Sequence, residues 1–369
     1  MKFICLIIVG ILVLSACTTN EDETSVAVEK TEQSEVKGDT TYPQFISNNK
    51  IKSIQAKGYA YKFGEPDGDG SILYEVNYNE AGFTLDSIIY QGNKAIATLS
   101  NEYNENNDLL VSVIKDSLGN VQQKVERTYD AKGNVLTFQL KQGESTVYSQ
   151  KMTYDGDKIT KIVEFDEIGN PRIVTNYTYN HSGKLITNSE TDENGLQLKK
   201  TSLVYDKDGN NSVQTIYNSL GQVSEKNFLK EYDANGNAKL IEKYNANDSL
   251  VVTYQYDYNE KGEEIKSVIY DGVGQIIRQS MSSFDQKGNQ IGYEIYEGGK
   301  GFVGKDQITY NDKNQEIQLI VFDKNDSQIK RKTTIYNDKD LKQEVVNYNK
   351  VDEPVFRITF DYIYSDTKL

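Results

Sequence analysis

The hexapeptide Tyr232-Asp233-Ala234-Asn235-Gly236-Asn237 decides the fold. An aspartate placed directly after the aromatic can accept backbone amides two residues on, which closes a type I turn. The glycine then takes the left-handed conformation that ends such a hairpin loop with a bulge. Beyond it lie short alternating stretches rich in β-branched and aromatic residues, such as Val252-Thr253-Tyr254-Gln255-Tyr256-Asp257-Tyr258 and Glu264-Ile265-Lys266-Ser267-Val268-Ile269-Tyr270. These read as strands, so the local instruction is strand, tight turn, strand.

That instruction recurs. Tyr78, Tyr103, Tyr129, Tyr154, Tyr179, Tyr205, Tyr232, Tyr258, Phe284, Tyr310, Tyr336 and Tyr362 follow one another at 25–27 residues, and all but the last precede Asp or Asn. Four places after the aromatic stands Gly, or Asn107, Asn314 or Asp340, the residues that best tolerate positive φ after glycine. The unit at Tyr154 has a shorter turn, Tyr154-Asp155-Gly156-Asp157. A weaker series falls 11–12 residues after the first: Tyr90, Lys115, Lys141, Phe165, Thr191, Tyr217, Tyr244, Tyr270, Tyr296, Phe322 and Tyr348. Seventeen of the 27 tyrosines occupy these two series, which explains a chain with so much Tyr and no Trp.

The expected fold is all-β: a meander of antiparallel β-hairpin repeats of 26 residues, about 11 units and roughly 22 strands over 78–369, behind a degenerate N-terminal β cap at 46–77. Open, strongly twisted sheets rarely exceed about 10 strands without curling. The meander is therefore expected to coil into a spiral or superhelical sheet. No window of a dozen residues outside the N-terminal apolar run shows a helical period.

That apolar run, Phe3–Leu14, follows Met1-Lys2 and is shorter than the roughly 20 residues a spanning helix needs, so it reads as a signal-peptide core. It ends in Leu14-Ser15-Ala16-Cys17, which resembles the lipobox of bacterial lipoproteins. The resemblance implies removal of 1–16, lipid on Cys17 and an acidic tether over 17–45. Residues 18–42 hold few large apolar side chains and repel themselves into an extended, solvated linker. Asn20-Glu21-Asp22-Glu23 resembles the acidic export signal of Bacteroidetes surface lipoproteins, which implies a lipid-anchored protein of the bacterial outer membrane facing the cell surface. Cys5 would leave with the signal, so a mature chain has no intramolecular disulfide.

The repeat itself resembles the YD repeat of RHS-type proteins. Tyr129-Asp130-Ala131-Lys132-Gly133-Asn134-Val135-Leu136 and Tyr205-Asp206-Lys207-Asp208-Gly209-Asn210 are good copies, and Tyr258-Asn259-Glu260-Lys261-Gly262-Glu263-Glu264-Ile265 is a looser one. The family usually has Arg where this chain has Asn, Lys, Gln or Glu after the glycine. Large members coil such strands into a shell around a C-terminal toxin. Here the repeats run to the last residues given, so the expectation carried over is the scaffold and not the cargo.

Composition narrows the chemistry. With 41 basic against 55 acidic residues and a net charge of −14, the chain lacks the basic stripe that neutralises phosphates, and nucleic acid is not an expected partner. His181, the single imidazole, falls at a hairpin tip in Tyr179-Asn180-His181-Ser182-Gly183, a poor platform for a catalytic triad. Zinc lacks ligands. The acid-rich segments Asp206–Asn210 and Glu65–Gly70 fall short of a full calcium loop, since Val76 stands where the closing Glu would be. No catalytic residue, metal or cofactor is expected.

The aromatic rows are the candidate surface. The strict series reads as structural, with rings packed on adjacent turns. The weaker series tolerates Lys and Thr, so its rings are less dictated by folding, and Tyr217, Tyr244, Tyr270 and Tyr296 are the candidate ligand contacts. The expected function is an envelope-anchored binding or adhesion scaffold for glycan or protein. The alternatives are a structural or interaction component of an envelope or secretion assembly, and, third, a carboxylate-pair glycosidase.

Overall fold

The computed structural model describes residues 41–365. The signal segment, Cys17 and the tether to residue 40 lie outside the described residues. One helix, Thr41–Asn48, precedes twenty-five strands that run from Ile51–Lys62 to Pro354–Tyr364. The two-residue strand Glu65–Pro66 only extends Ile51–Lys62. The other twenty-four pair antiparallel, each with its chain neighbour, and the last strand returns to the first, Ala56 opposite Phe360 and Gly58 opposite Ile358. Ile51–Lys62 meets Ser71–Tyr78 on its other side. The hairpin meander is as expected, and its coil closes into a ring, so each of these twenty-four strands is paired on both sides.

The turn at Tyr129 shows how sequence makes each unit. Asp130 Oδ1 accepts the amides of Lys132 at 2.8 Å and Asn134 at 2.9 Å, and the Gly133 amide donates to the Asp130 carbonyl at 3.2 Å. Gly133 sits at φ 87°, where a side chain would strain the backbone. Thr128 opposes Thr137 but Tyr129 opposes Val135, which leaves Leu136 as the bulge. Asn107, Asn314 and Asp340 hold the same positive φ in their units. The weaker series ends in the same device: Asn218 Oδ1 accepts the amides of Leu220 and Gln222, before Gly221 at φ 74°.

Because neighbouring strands alternate in direction, turns that follow the strict series gather on one rim of the ring and turns that follow the weaker series on the other. The helix belongs to the first rim. It begins with Pro43 in its first turn, where the missing amide costs nothing, and ends at Lys50, whose φ of 53° and amide bond to the Ser47 carbonyl close it. Eight residues are too few for a stable helix alone. Burial holds it: Ile46 packs with Ile51, Ile54, Tyr78 and Leu341, Ser47 Oγ donates to the Glu80 carbonyl at 2.7 Å, and the Tyr42 and Tyr78 hydroxyls lie 3.2 Å apart. The helix was absent from the sequence expectation because it is shorter than the window that reveals a helical period. It takes in residues 41–45 of the expected tether, and the segment 46–77 supplies the strand that closes the ring. Away from this cluster most strand residues are half-buried.

Candidate functional site

The two aromatic series stand on opposite faces of the sheet. In the hairpin of Leu250–Tyr258 and Glu264–Asp271, Tyr254 opposes Ile269 whereas Tyr270 opposes Thr253. Residues directly opposed share a face and neighbours alternate, so Tyr254, Tyr256 and Tyr258 lie on one side and Tyr270 on the other. The rings of Tyr256 and Tyr258 stack at 6.4 Å, as the shared face requires.

The strict series is committed to the fold. Ten of its tyrosines, from Tyr103 to Tyr362, donate their hydroxyls to a backbone carbonyl nineteen to twenty-one residues back, among them Tyr129 to Leu109, Tyr205 to Leu185 and Tyr258 to Ala238. Each bond ties one unit to the carbonyl just beyond the preceding unit's turn. Burial pushes several of these hydroxyls up, Tyr232 to about 12, chiefly by desolvation. The structural reading of this series therefore rests on a bond for each ring, Tyr78 and Phe284 excepted.

The weaker series is differently engaged. Tyr217, Tyr244, Tyr270 and Tyr296 sit on alternate strands of consecutive units (Asn211–Tyr217, Ala238–Asn245, Glu264–Asp271, Gln290–Glu297). Two strand spacings put their backbones about 9–10 Å apart along one face. The four form a row, each half-buried. The hydroxyls of three reach side chains and not the backbone: Tyr244 to Glu242 at 2.9 Å, Tyr296 to Glu294 at 2.8 Å, Tyr270 to Gln255 at 3.4 Å. The bond to the carboxylate is the main reason that the Tyr244 and Tyr296 hydroxyls are raised above the usual phenol range. Phe228 meets Tyr244 edge-on at 5.4 Å and Phe302 meets Tyr296 at 5.5 Å. The Lys200 ammonium lies 5.7 Å from the Tyr217 ring. Farther round the same face Lys305 stands over Phe322 and Arg331 over Tyr348. Among the described residues no cation covers Tyr244, Tyr270 or Tyr296.

A groove of about 700 Å³ is lined by Ser282, Tyr293, Asp306 and Tyr310 among others; Tyr293 opposes Ser282 and Asp306, which puts it on the face of the strict series, opposite the row. Burial raises the Asp306 carboxyl above the ordinary carboxylate range. Sequence reasoning missed Tyr293 and Asp306, which belong to neither series. It also missed Glu242 and Glu294, although the pattern Glu-x-Tyr in a strand puts both side chains on one face and was available to find them.

The other residues weighed from the sequence fall elsewhere. His181 is exposed at a turn tip on the first rim. Asp206 spends its carboxylate on the amides of Asp208 and Asn210, bonds that hold it ionised below the usual range. Among the described residues no group of three or more His, Cys, Asp or Glu side chains is placed to hold a metal ion, and no helix is long and apolar enough to cross a membrane. Cys17 lies outside the described residues.

In sequence the chain matches no family model and no curated protein. In structure it is similar to part of a Photorhabdus luminescens Tc holotoxin pore carrying TccC3, at 12% identity over 82% of this chain and 18% of that one, with a TM-score of 0.33. The chain thus spans under a fifth of that toxin chain. It is also similar to a porin-like protein from Bacteroides uniformis, at 9% identity over 85% of this chain and 98% of that one, with a TM-score of 0.23. A porin-like protein from Bacteroides vulgatus aligns at 12% identity over 65% and 94%, with a TM-score of 0.18.

Proposed function

We propose that this protein is an envelope-anchored, surface-displayed YD-like repeat lipoprotein, and that it is a binding scaffold whose row Tyr217, Tyr244, Tyr270 and Tyr296 takes a glycan. One observation carries the reading: the two tyrosine series differ in what holds their hydroxyls. The strict series is bound to the backbone of its own fold, while three of the row, Tyr244, Tyr270 and Tyr296, are bound to Glu242, Gln255 and Glu294. Carboxylate and amide side chains beside an aromatic face are the groups that sugar hydroxyls and sugar rings use. Each contact is weak, and the repeat supplies several at a fixed spacing, which raises the affinity of a polymer far above that of one residue. The scaffold binds without catalysis and without a cofactor.

Glycan arrays with the full-length protein test this. Binding to at least one polysaccharide is expected, falling about tenfold or more when Tyr270 and Tyr296 are both replaced by Ala. Binding to no glycan overturns the reading. The anchor has its own test: Cys17→Ser should release the protein from the membrane fraction, and unchanged fractionation refutes lipidation.

A further inference from the structure

The two rims carry the same turn with different side chains at the same position. In five turns of the first rim the residue just before the positive-φ position is a lysine: Lys132, Lys261, Lys287, Lys313 and Lys339. These lysines fold sideways onto the next unit: Lys132 pairs with Asp157 at 3.2 Å, and Lys261 and Lys287 donate to the carbonyls of Gln286 and Asp312. In five turns of the second rim the equivalent residue is apolar: Leu118, Ile168, Leu220, Val273 and Val351. With Leu196 and Phe63 on the same rim, they are 63–97% exposed. No large apolar side chain of the first-rim turns is exposed to a comparable degree.

Single exposed apolar residues are ordinary. Seven on one rim, five of them at a turn position where polar residues are favoured, are not required by the turn, since the other rim builds the same loop with lysine. Ile168, Leu196 and Leu220 belong to three consecutive hairpins, and Val351 and Phe63 flank the seam that closes the ring. The turns that bear the tips also hold Asp116, Asp166, Glu167, Asp192, Glu193, Asp271, Asp352 and Glu353 against the single Lys350. That charge repels an anionic lipid surface and repels the same rim of a second copy.

We infer that the second rim is a docking surface for a protein partner whose own face is basic and offers apolar pockets. Its tips enter the pockets while the turn carboxylates meet the partner's cations, so charge steers the encounter and burial of Ile168, Leu196 and Leu220 holds it. This surface borders the tyrosine row, since Tyr217 and Tyr270 stand three residues before Leu220 and Val273, but it uses the turn tips and not the rings.

The test uses the full-length protein and a short amphipathic peptide of Leu and Lys as the probe. The wild type should bind it, an all-Lys peptide should bind at least about tenfold more weakly, and the triple variant Ile168→Ser/Leu196→Ser/Leu220→Ser should lose affinity about tenfold. Substitutions at exposed tips leave the fold intact, and an unchanged Tm confirms that the variant is folded. Tyr270→Ala should bind the peptide as the wild type does. Absence of wild-type binding, equal binding of the all-Lys peptide, or a triple variant that binds normally overturns the proposal. So does attachment to phosphatidylglycerol vesicles, or a sedimenting dimer, that the triple variant abolishes.

Discussion

A tyrosine hydroxyl that reaches a carbonyl about twenty residues back satisfies a strand-end acceptor and clamps two hairpins together. Phenylalanine can do neither. The chain contains its own comparison at Phe284, where the ring is kept and the bond is lost; its equivalent acceptor is the carbonyl of Glu264, the first residue of its strand. Phe284→Tyr should therefore stabilise the protein by about 1 kcal/mol, and Tyr205→Phe should destabilise it by about the same amount. Paired thermal unfolding curves read both, and a Phe284→Tyr that lowers the Tm would show that the clamp is not general. The strict period of these residues in the sequence was enough to say that they build the fold. The partner of each hydroxyl was not legible there, because the carbonyl belongs to another strand and only the ring's register brings it near. The same holds for Asp306, whose buried carboxyl departs from both series and becomes visible only when the groove forms.

At the scale of the turn, the repeated aspartate is an acid sensor by construction. In Asp116, Asp130, Asp233 and Asp285 the side-chain amide of the Asn four places on is the main cause that lowers the carboxyl below its ordinary 3.8; in Asp166, Asp206 and Asp323 it is the backbone amide four places on, of Asn170, Asn210 and Ser327. A carboxyl depressed in the folded state contributes stability above its unfolded value, and that contribution is lost as the pH falls through the folded value. Stability should thus be flat near neutrality and decline below about pH 4, which circular-dichroism melts at stepped pH will show. The helix depends on a different turn. A Cβ on Gly82 would stand 1.9 Å from the Pro43 carbonyl oxygen, at a φ of +87°. Gly82→Ala should cost about 1–3 kcal/mol and free the helix from the rim, seen as faster amide exchange at Phe45 to Asn49. Turn chemistry was fully legible in the sequence, since Asp-x-x-Gly is a local instruction. The helix was not, since its stability lies in Ile46 and what Ile46 touches.

For the whole molecule the decisive contact is the seam between the first and last strands. Gly58 sits in it with no room for a side chain: a Cβ would come within 2.6 Å of Phe356 and 2.9 Å of Leu73. Gly58→Leu should open the seam and expose two strand edges, so the variant is expected to elute as aggregates in size-exclusion chromatography while its β content persists. Periodicity told how many strands there are and that they had to coil. It did not tell that the coil closes, because the closing strand carries none of the repeat's marks.

Closure also fixes how such a chain can change length. A ring of antiparallel strands closes antiparallel only when the strand number is even, and one added strand would force a parallel neighbour at the seam. The 26-residue unit contributes two strands. It is therefore the smallest increment that can be gained or lost with the seam intact, and duplication or deletion by whole units alters the circumference while leaving the closing pair of strands unchanged.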